Sequence, residues 1–125
     1  TSISQKAAVA ALGGPQDFVQ KLRLEFNRRR TYIADRLAAL PEVRTALPEG
    51  AFYIFPNFSA YYQKKIGGKT IKDSLELADY LLERAQIAVV PGAAFGEDQG
   101  LRFSYATSLA LIEKGMDRLE KALKR

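Results

Sequence analysis

Apolar residues recur along this chain with two periods, and the switches between them mark out the elements. The opening segment is Ala-rich and reads as a helix that runs through Gln5 to Leu12 and stops at Gly13-Gly14, with Thr1 or Ser2 placed to cap it. Its small side chains suit close packing against another element. Pro15 fits the first turn of a second helix. Phe18, Leu22, Phe26, Ile33, Leu37 and Leu40 then recur near helical spacing up to Pro41 and predict one apolar stripe. A helix over 15–40 would be about 39 Å long. The radius of gyration of a chain this size is about 14 Å. The helix is therefore expected to cross its own domain and to run along a neighbouring one.

Strand patterns follow. Val43–Leu47 reads as a weak strand and Ala51–Phe55 as a strong one, joined through Pro48-Glu49-Gly50 as a hairpin. The stretch from Phe58 to Lys72 holds neither period and is read as a long, mobile, basic loop. Asp73 or Ser74 caps a third helix, with Leu75, Ala78, Leu82 and Ala85 as its buried stripe and Leu77 and Leu81 beside it. Ile87–Val90 reads as a short buried strand, bounded by Pro91-Gly92. A loop of small residues reaches Gly96, and Glu97-Asp98-Gln99-Gly100 makes a polar turn. In the strand Leu101–Ala106, alternation puts Leu101, Phe103 and Tyr105 on one face and Arg102, Ser104 and Ala106 on the other. Ser108 caps a last helix, where Leu109, Ile112, Met116, Leu119 and Leu123 repeat at core spacing. The pattern predicts an α/β chain, specifically an α+β two-layer sandwich. One small mixed or antiparallel sheet packs with four helices, one of them long, in a single domain over residues 1–125.

Composition narrows the chemistry. The 125 residues include no Cys and no His, which excludes thiolate and disulfide chemistry, Ser-His-Asp triads and most zinc sites built from this chain; no metal is expected. No apolar run approaches the roughly 18 residues of a membrane span, and no signal peptide is visible. A cytoplasmic protein with no membrane partner is expected. The net charge of +5 raises nucleic acid as a partner, but the cations scatter over helices. Arg28-Arg29-Arg30 fans around a helix rather than lining one stripe, so no nucleic-acid partner is expected. Gly68-Lys69-Thr70 imitates the tail of a phosphate-binding loop, but the first glycine of that motif falls at Gln63. A first residue other than Met, with a helical pattern starting at once, suggests a piece of a longer protein.

One cation stands apart. Arg102 lies in a row of small residues on its strand face. A guanidinium is a planar fork that pairs bidentately with carboxylate or phosphate. Two readings are open on pattern alone: Arg102 orients a small acidic ligand, or it sits on the solvent face of a half-covered strand.

The segments LPEGAFYIFPNFS, IAVVPGAAFG and LRFSYATS, in that order and followed by an amphipathic helix, resemble the carboxy-terminal part of class I aminotransferases. These are pyridoxal-phosphate enzymes of fold type I, and the likeness is strongest to bacterial aspartate aminotransferases. TSISQKAAVAAL resembles the helix that follows the cofactor-lysine region. The resemblance implies a small domain with preceding connecting helices over 1–40, the catalytic large domain lying outside the chain. It implies that Arg102 binds the α-carboxylate of an amino acid or 2-oxo acid substrate, aspartate above all. That grip holds the Cα–H bond perpendicular to the cofactor ring. Phe95 is implied as a pocket-lining residue on a domain that swings to close the cleft; otherwise it is an ordinary core aromatic. The parent enzyme is implied to be a homodimer that uses pyridoxal 5'-phosphate. No lysine here (Lys6, Lys21, Lys64, Lys65, Lys69, Lys72, Lys114, Lys121 or Lys124) has the Ser-x-Ser-Lys context of the Schiff-base lysine. The 125 residues alone are thus expected to be inactive, with no catalytic residue of their own.

Two rival functions remain. A stand-alone carboxylate- or phosphate-binding domain would lose ligand affinity on Arg102→Ala. A basic nucleic-acid module built on the 64–72 loop, Tyr61 and Tyr62 would bind polynucleotide with a steep salt dependence.

Overall fold

The computed structural model describes residues 1–124. Helix α1 runs Ser2–Gly13 and α2 runs Asp17–Ala38. The α2 helix has 22 residues, about 33 Å at the usual rise. It starts after Pro15, because Gln16 is the residue whose carbonyl accepts from the Val19 and Gln20 amides. Only its C-terminal half is core: Ile33, Ala34 and Leu37 are buried, whereas Phe18 is 72% exposed and Leu22 is also exposed. The predicted stripe is thus split. Among the described residues of its first half, only Phe26 reaches the core, half-buried against Tyr105, and α1 has no buried residue.

The sheet is small and antiparallel. Strand β1 (Tyr53–Ile54) and strand β4 (Val90–Pro91) flank β5 (Leu101–Ser104), in the order β1-β5-β4. The hairpin expected over 43–55 does not form. Val43–Leu47 contributes a single antiparallel bridge, Arg44 to Asn57, and β1 pairs instead with β5. The strand expected at 87–90 survives only at its end, where Val90 faces Arg102.

The stretch 58–72 is not an irregular loop. It forms a 3₁₀ turn over Ser59–Tyr61 and the hairpin of β2 (Lys65–Ile66) with β3 (Lys69–Thr70). Gly67 and Gly68 make the turn at positive φ, the conformation glycine accepts without strain. Phe58, Tyr61, Ile66 and Ile71 are buried and anchor it to the core. Two of its lysines are paired, Lys64 with Glu42 and Lys72 with Glu76.

Helix α3 (Ser74–Tyr80) is capped by Asp73, which accepts from the Glu76 amide. It passes into a π-helical turn, Leu81–Ala85, closed by Gln86 at φ 55°. Its buried residues are Ser74, Leu77, Ala78, Tyr80, Leu81 and Ala85, while Leu75 and Leu82 are each 55% exposed. Ala78 and Ala85 are buried as expected, but Leu77 and Leu81 take the core places expected of Leu75 and Leu82, because both leucine rows satisfy helical spacing. Helix α4 (Leu109–Leu123) is capped by Ser108, which accepts from the Leu111 amide, and buries Ile112, Met116, Leu119 and Leu123 as expected.

These helices pack on one side of the sheet against Ile54, Leu101, Phe103 and Tyr105. Each fully buried leucine or isoleucine there contributes roughly 1.5–3 kcal/mol. Arg36 ties α2 to α4 through Asp117 (2.7 Å) and Glu120 (2.9 Å). The hydrogen bond to Asp117 and then that to Glu120 hold its guanidinium well above the ordinary range. The α+β sandwich with four α-helices is the architecture expected. Among the described residues no helix is long and apolar enough to cross a membrane.

Candidate functional site

The side of the sheet that the helices leave open is where the chemistry collects. Alternation in β5 sends Leu101 and Phe103 inward and Arg102 and Ser104 outward. Tyr53 lies opposite Ser104, and Ile54 lies opposite Phe103. Continuing that register sets Phe55 opposite Arg102. The open face therefore carries Arg102 on the central strand, with Tyr53 and Phe55 from one edge.

Phe95 arrives from the other edge. It ends a tight 3₁₀ turn, Gly92–Phe95, that follows β4 and closes at Gly96 in the left-handed region (φ 77°). Ser74 holds this turn. Its side chain is fully buried and donates to Asp98 Oδ1 at 2.5 Å while accepting the Ala93 N–H at 3.1 Å. The Ser74 N–H also donates to Asp98 Oδ1, at 3.1 Å. A polar residue thus sits in the core stripe of α3 because both of its hydrogen-bonding capacities are spent. The Phe95 ring meets Phe55 edge-on, at 6.3 Å and 81°.

Arg102 is half-buried, with its guanidinium carbon 4.8 Å from the centroid of Phe95 and 5.5 Å from that of Tyr53. Among the described residues its side chain makes no hydrogen bond and no ion pair. Ring faces attract a cation through their quadrupole and use none of its N–H donors. The fork is therefore held in place with its donors unspent and its charge uncompensated. A carboxylate approaching the open face would meet two parallel N–H groups.

The expectation of small neighbours holds along the strand, at Ser104 and Ala106, but across strands the neighbours are aromatic. Phe95 is 52% exposed and not a core residue. Tyr53, Phe55 and the Ser74–Asp98 pair were not foreseen. The signal for Tyr53 and Phe55 was present in AFYIF, where alternation puts both opposite the buried Ile54. A cleft of about 580 Å³ lies elsewhere, lined by Leu40, Pro41, Tyr61 and Leu123. Among the described residues no cluster of acidic side chains is arranged to hold a metal ion.

Tyr62 links the 58–72 segment to the site loop by donating to the Asp98 carbonyl at 2.7 Å. Burial, and then the carboxylates of Asp98, Asp73 and Glu97, push its phenol well above the ordinary 10.0. The unfolded chain releases this proton first as pH rises. The stabilisation is therefore complete below pH 10 and falls above it. Denaturation at increasing pH is expected to show declining stability above pH 10, with Tyr62→Phe flattening that decline. An unchanged slope in the variant would contradict the assignment.

The family model for aminotransferase class I and II matches residues 1–119. A probable aspartate/prephenate aminotransferase of Aquifex aeolicus is 45% identical over 125 residues, covering 98% of this chain and 30% of that protein. An aspartate aminotransferase of Rhizobium meliloti is 44% identical, covering 100% of this chain and 31% of its own length. The crystal structure of an aspartate aminotransferase from Rhizobium meliloti superposes with a TM-score of 0.93 at 43% identity, covering 98% of this chain and 31% of that one. An alanine aminotransferase from Pyrococcus furiosus gives 0.78 at 35% identity, covering 92% and 28%. The chain spans about three tenths of the length of the relatives it matches.

Proposed function

Since the chain belongs to the class I and II aminotransferases, we propose that it is the carboxy-terminal small domain, with its connecting helices over 1–40, of an enzyme that moves an amino group between aspartate and a 2-oxo acid. In this reading Arg102 binds the α-carboxylate of both substrates, and Phe95 lines the pocket. The observation that carries it is the Arg102 guanidinium, set against two rings with no ion pair among the described residues. An unpaired half-buried cation is costly, and a ligand carboxylate supplies the partner.

The family is generally pyridoxal-phosphate-dependent. The lysines of this chain do not fit the anchoring role. Lys64 is held by Glu42, and the other eight are exposed. An anchoring lysine needs a desolvating pocket that frees its amine. The cofactor is then held by the part of the parent enzyme outside these residues, and this segment contributes substrate binding alone. The bare faces of α1 and the first half of α2, with Ile3, Val9, Leu12, Phe18 and Leu22 exposed, support packing against that missing part or against the second subunit of a homodimer. A cytoplasmic location belongs to the same proposal.

Incubating the 125-residue chain with pyridoxal phosphate is expected to give no transamination and no borohydride-trapped adduct on a single lysine. A specific adduct with turnover would overturn the division of labour. The salt dependence of any polynucleotide binding tests the basic-module reading in the same preparation.

A further inference from the structure

Arg102 is flanked from both edges of its sheet, and the two flanking rings come from different places in the chain. Phe95 follows β4; Tyr53 belongs to β1, on the opposite edge. Tyr53 is 39% exposed, and among the described residues its hydroxyl makes no hydrogen bond. Its ring packs edge-on against Phe52 at 5.5 Å, which limits its own rotation. A long side chain left free on an open face would populate several rotamers, and each productive encounter would have to select one.

We propose that Tyr53 is a positioning residue for the substrate carboxylate: its ring face, opposite that of Phe95, holds the Arg102 guanidinium in one plane so that its two outer N–H groups meet the carboxylate already aligned. The inference rests on the role proposed above for Arg102 and adds a second residue to it. The ring is the working part and the hydroxyl is idle. The contribution is to binding, equal for amino acid and 2-oxo acid because both carry the same carboxylate. Ser74 and Asp98 serve the other ring in the same way, by seating the turn that carries Phe95.

The test uses the full-length parent enzyme with Tyr53→Leu, Tyr53→Met and Tyr53→Phe. In the two aliphatic variants KM for both substrates is expected to rise about tenfold to thirtyfold, the loss of a partly desolvated cation–ring contact. Their kcat is expected to stay within about threefold, as for uniform binding. The inhibition constant of propionate, which offers a carboxylate and no amino group, should rise by the same factor. Tyr53→Phe should stay within about twofold of wild type, since the ring is kept. Unchanged KM and propionate binding in both aliphatic variants would overturn the proposal, and so would a Tyr53→Phe enzyme as impaired as they are. A wild-type parent that does not transaminate, or that is indifferent to Arg102→Ala, would instead overturn the underlying role of Arg102.

Discussion

Replacing Arg102 by alanine in the full-length enzyme is expected to lower kcat/KM by about 10³-fold for amino donor and oxo acceptor alike, a loss of ~4 kcal/mol. The magnitude follows from what the side chain offers. Two charge-assisted hydrogen bonds to one carboxylate contribute roughly 1.5–3 kcal/mol each. Tyr53 and Ser104 offer only single neutral hydroxyls on that face, and Phe55 and Phe95 offer no donor, so none of them replaces a charged two-pronged fork. Arg102→Lys keeps the charge but loses the fork and much of the stacking, so it should recover only about tenfold of the loss. Steady-state kinetics in both directions checks this. Equal losses in the two half-reactions are the signature of a group that reads the shared carboxylate. A loss confined to one substrate, or an alanine variant within about threefold of wild type, would remove Arg102 from the role. The structure also suggests a rescue. Alanine leaves a slot between two ring faces that matches a planar cation, so added guanidinium ion should restore part of the activity, and an equal concentration of ammonium should restore less.

What could be read ahead of the structure was whatever depends on near neighbours in the chain. The two faces of β5 followed from strict alternation with one face apolar, and the caps at Asp73 and Ser108 followed from a polar residue just before an apolar repeat. Long-range pairing was not readable. Ala51–Phe55 reads as half of a local hairpin because Pro48-Glu49-Gly50 signals a turn, but β1 pairs with β5 across some fifty residues, and no local pattern encodes that choice. The same blindness hid the aromatic flanks of Arg102. Tyr53 and Phe95 lie far apart in sequence and meet only once the strand order is fixed. The 58–72 segment misled for another reason. Its anchors, Phe58, Tyr61, Ile66 and Ile71, are spaced by a turn and a hairpin, so they share no single period. In α3, two leucine rows fit helical spacing equally well. Ser74 lies on the row that is buried, with its hydroxyl bonded to Asp98 and Ala93. The role proposed for Arg102 rests on the class I motifs rather than on periodicity, which left both a ligand-binding and a solvent-facing arginine open.

The turn that carries Phe95 is also where a single methyl group should do most damage to the fold. A Cβ on Gly92 would lie 2.0 Å from the Glu97 carbonyl oxygen and 2.4 Å from that of Gly100. Both are backbone atoms of the loop, and Gly92 itself bonds them in place, with its N–H donating to the Gly100 carbonyl at 2.9 Å and its carbonyl accepting from the Glu97 N–H at 3.1 Å. Gly92 is not at positive φ, so the cost is contact and not backbone conformation. Gly92→Ala is expected to destabilise the protein by about 3 kcal/mol or more, near the upper end for overpacking, and to shift Phe95 off Arg102. Gly100→Ala makes a useful contrast. Its Cβ would lie 2.1 Å from the Phe55 ring, an equally short distance, but to a side chain that can move. Gly100→Ala should therefore cost less, about 1–2 kcal/mol, and should be largely relieved by Phe55→Leu. Gly92→Ala should gain little from the same second change, because its clash is with carbonyl oxygens. Urea denaturation of the two glycine variants, Phe55→Leu, the two double variants and the wild type measures each cost and the coupling directly. Equal rescue of both glycine variants by Phe55→Leu would mean that ring crowding, rather than the carbonyl cage, fixes the turn.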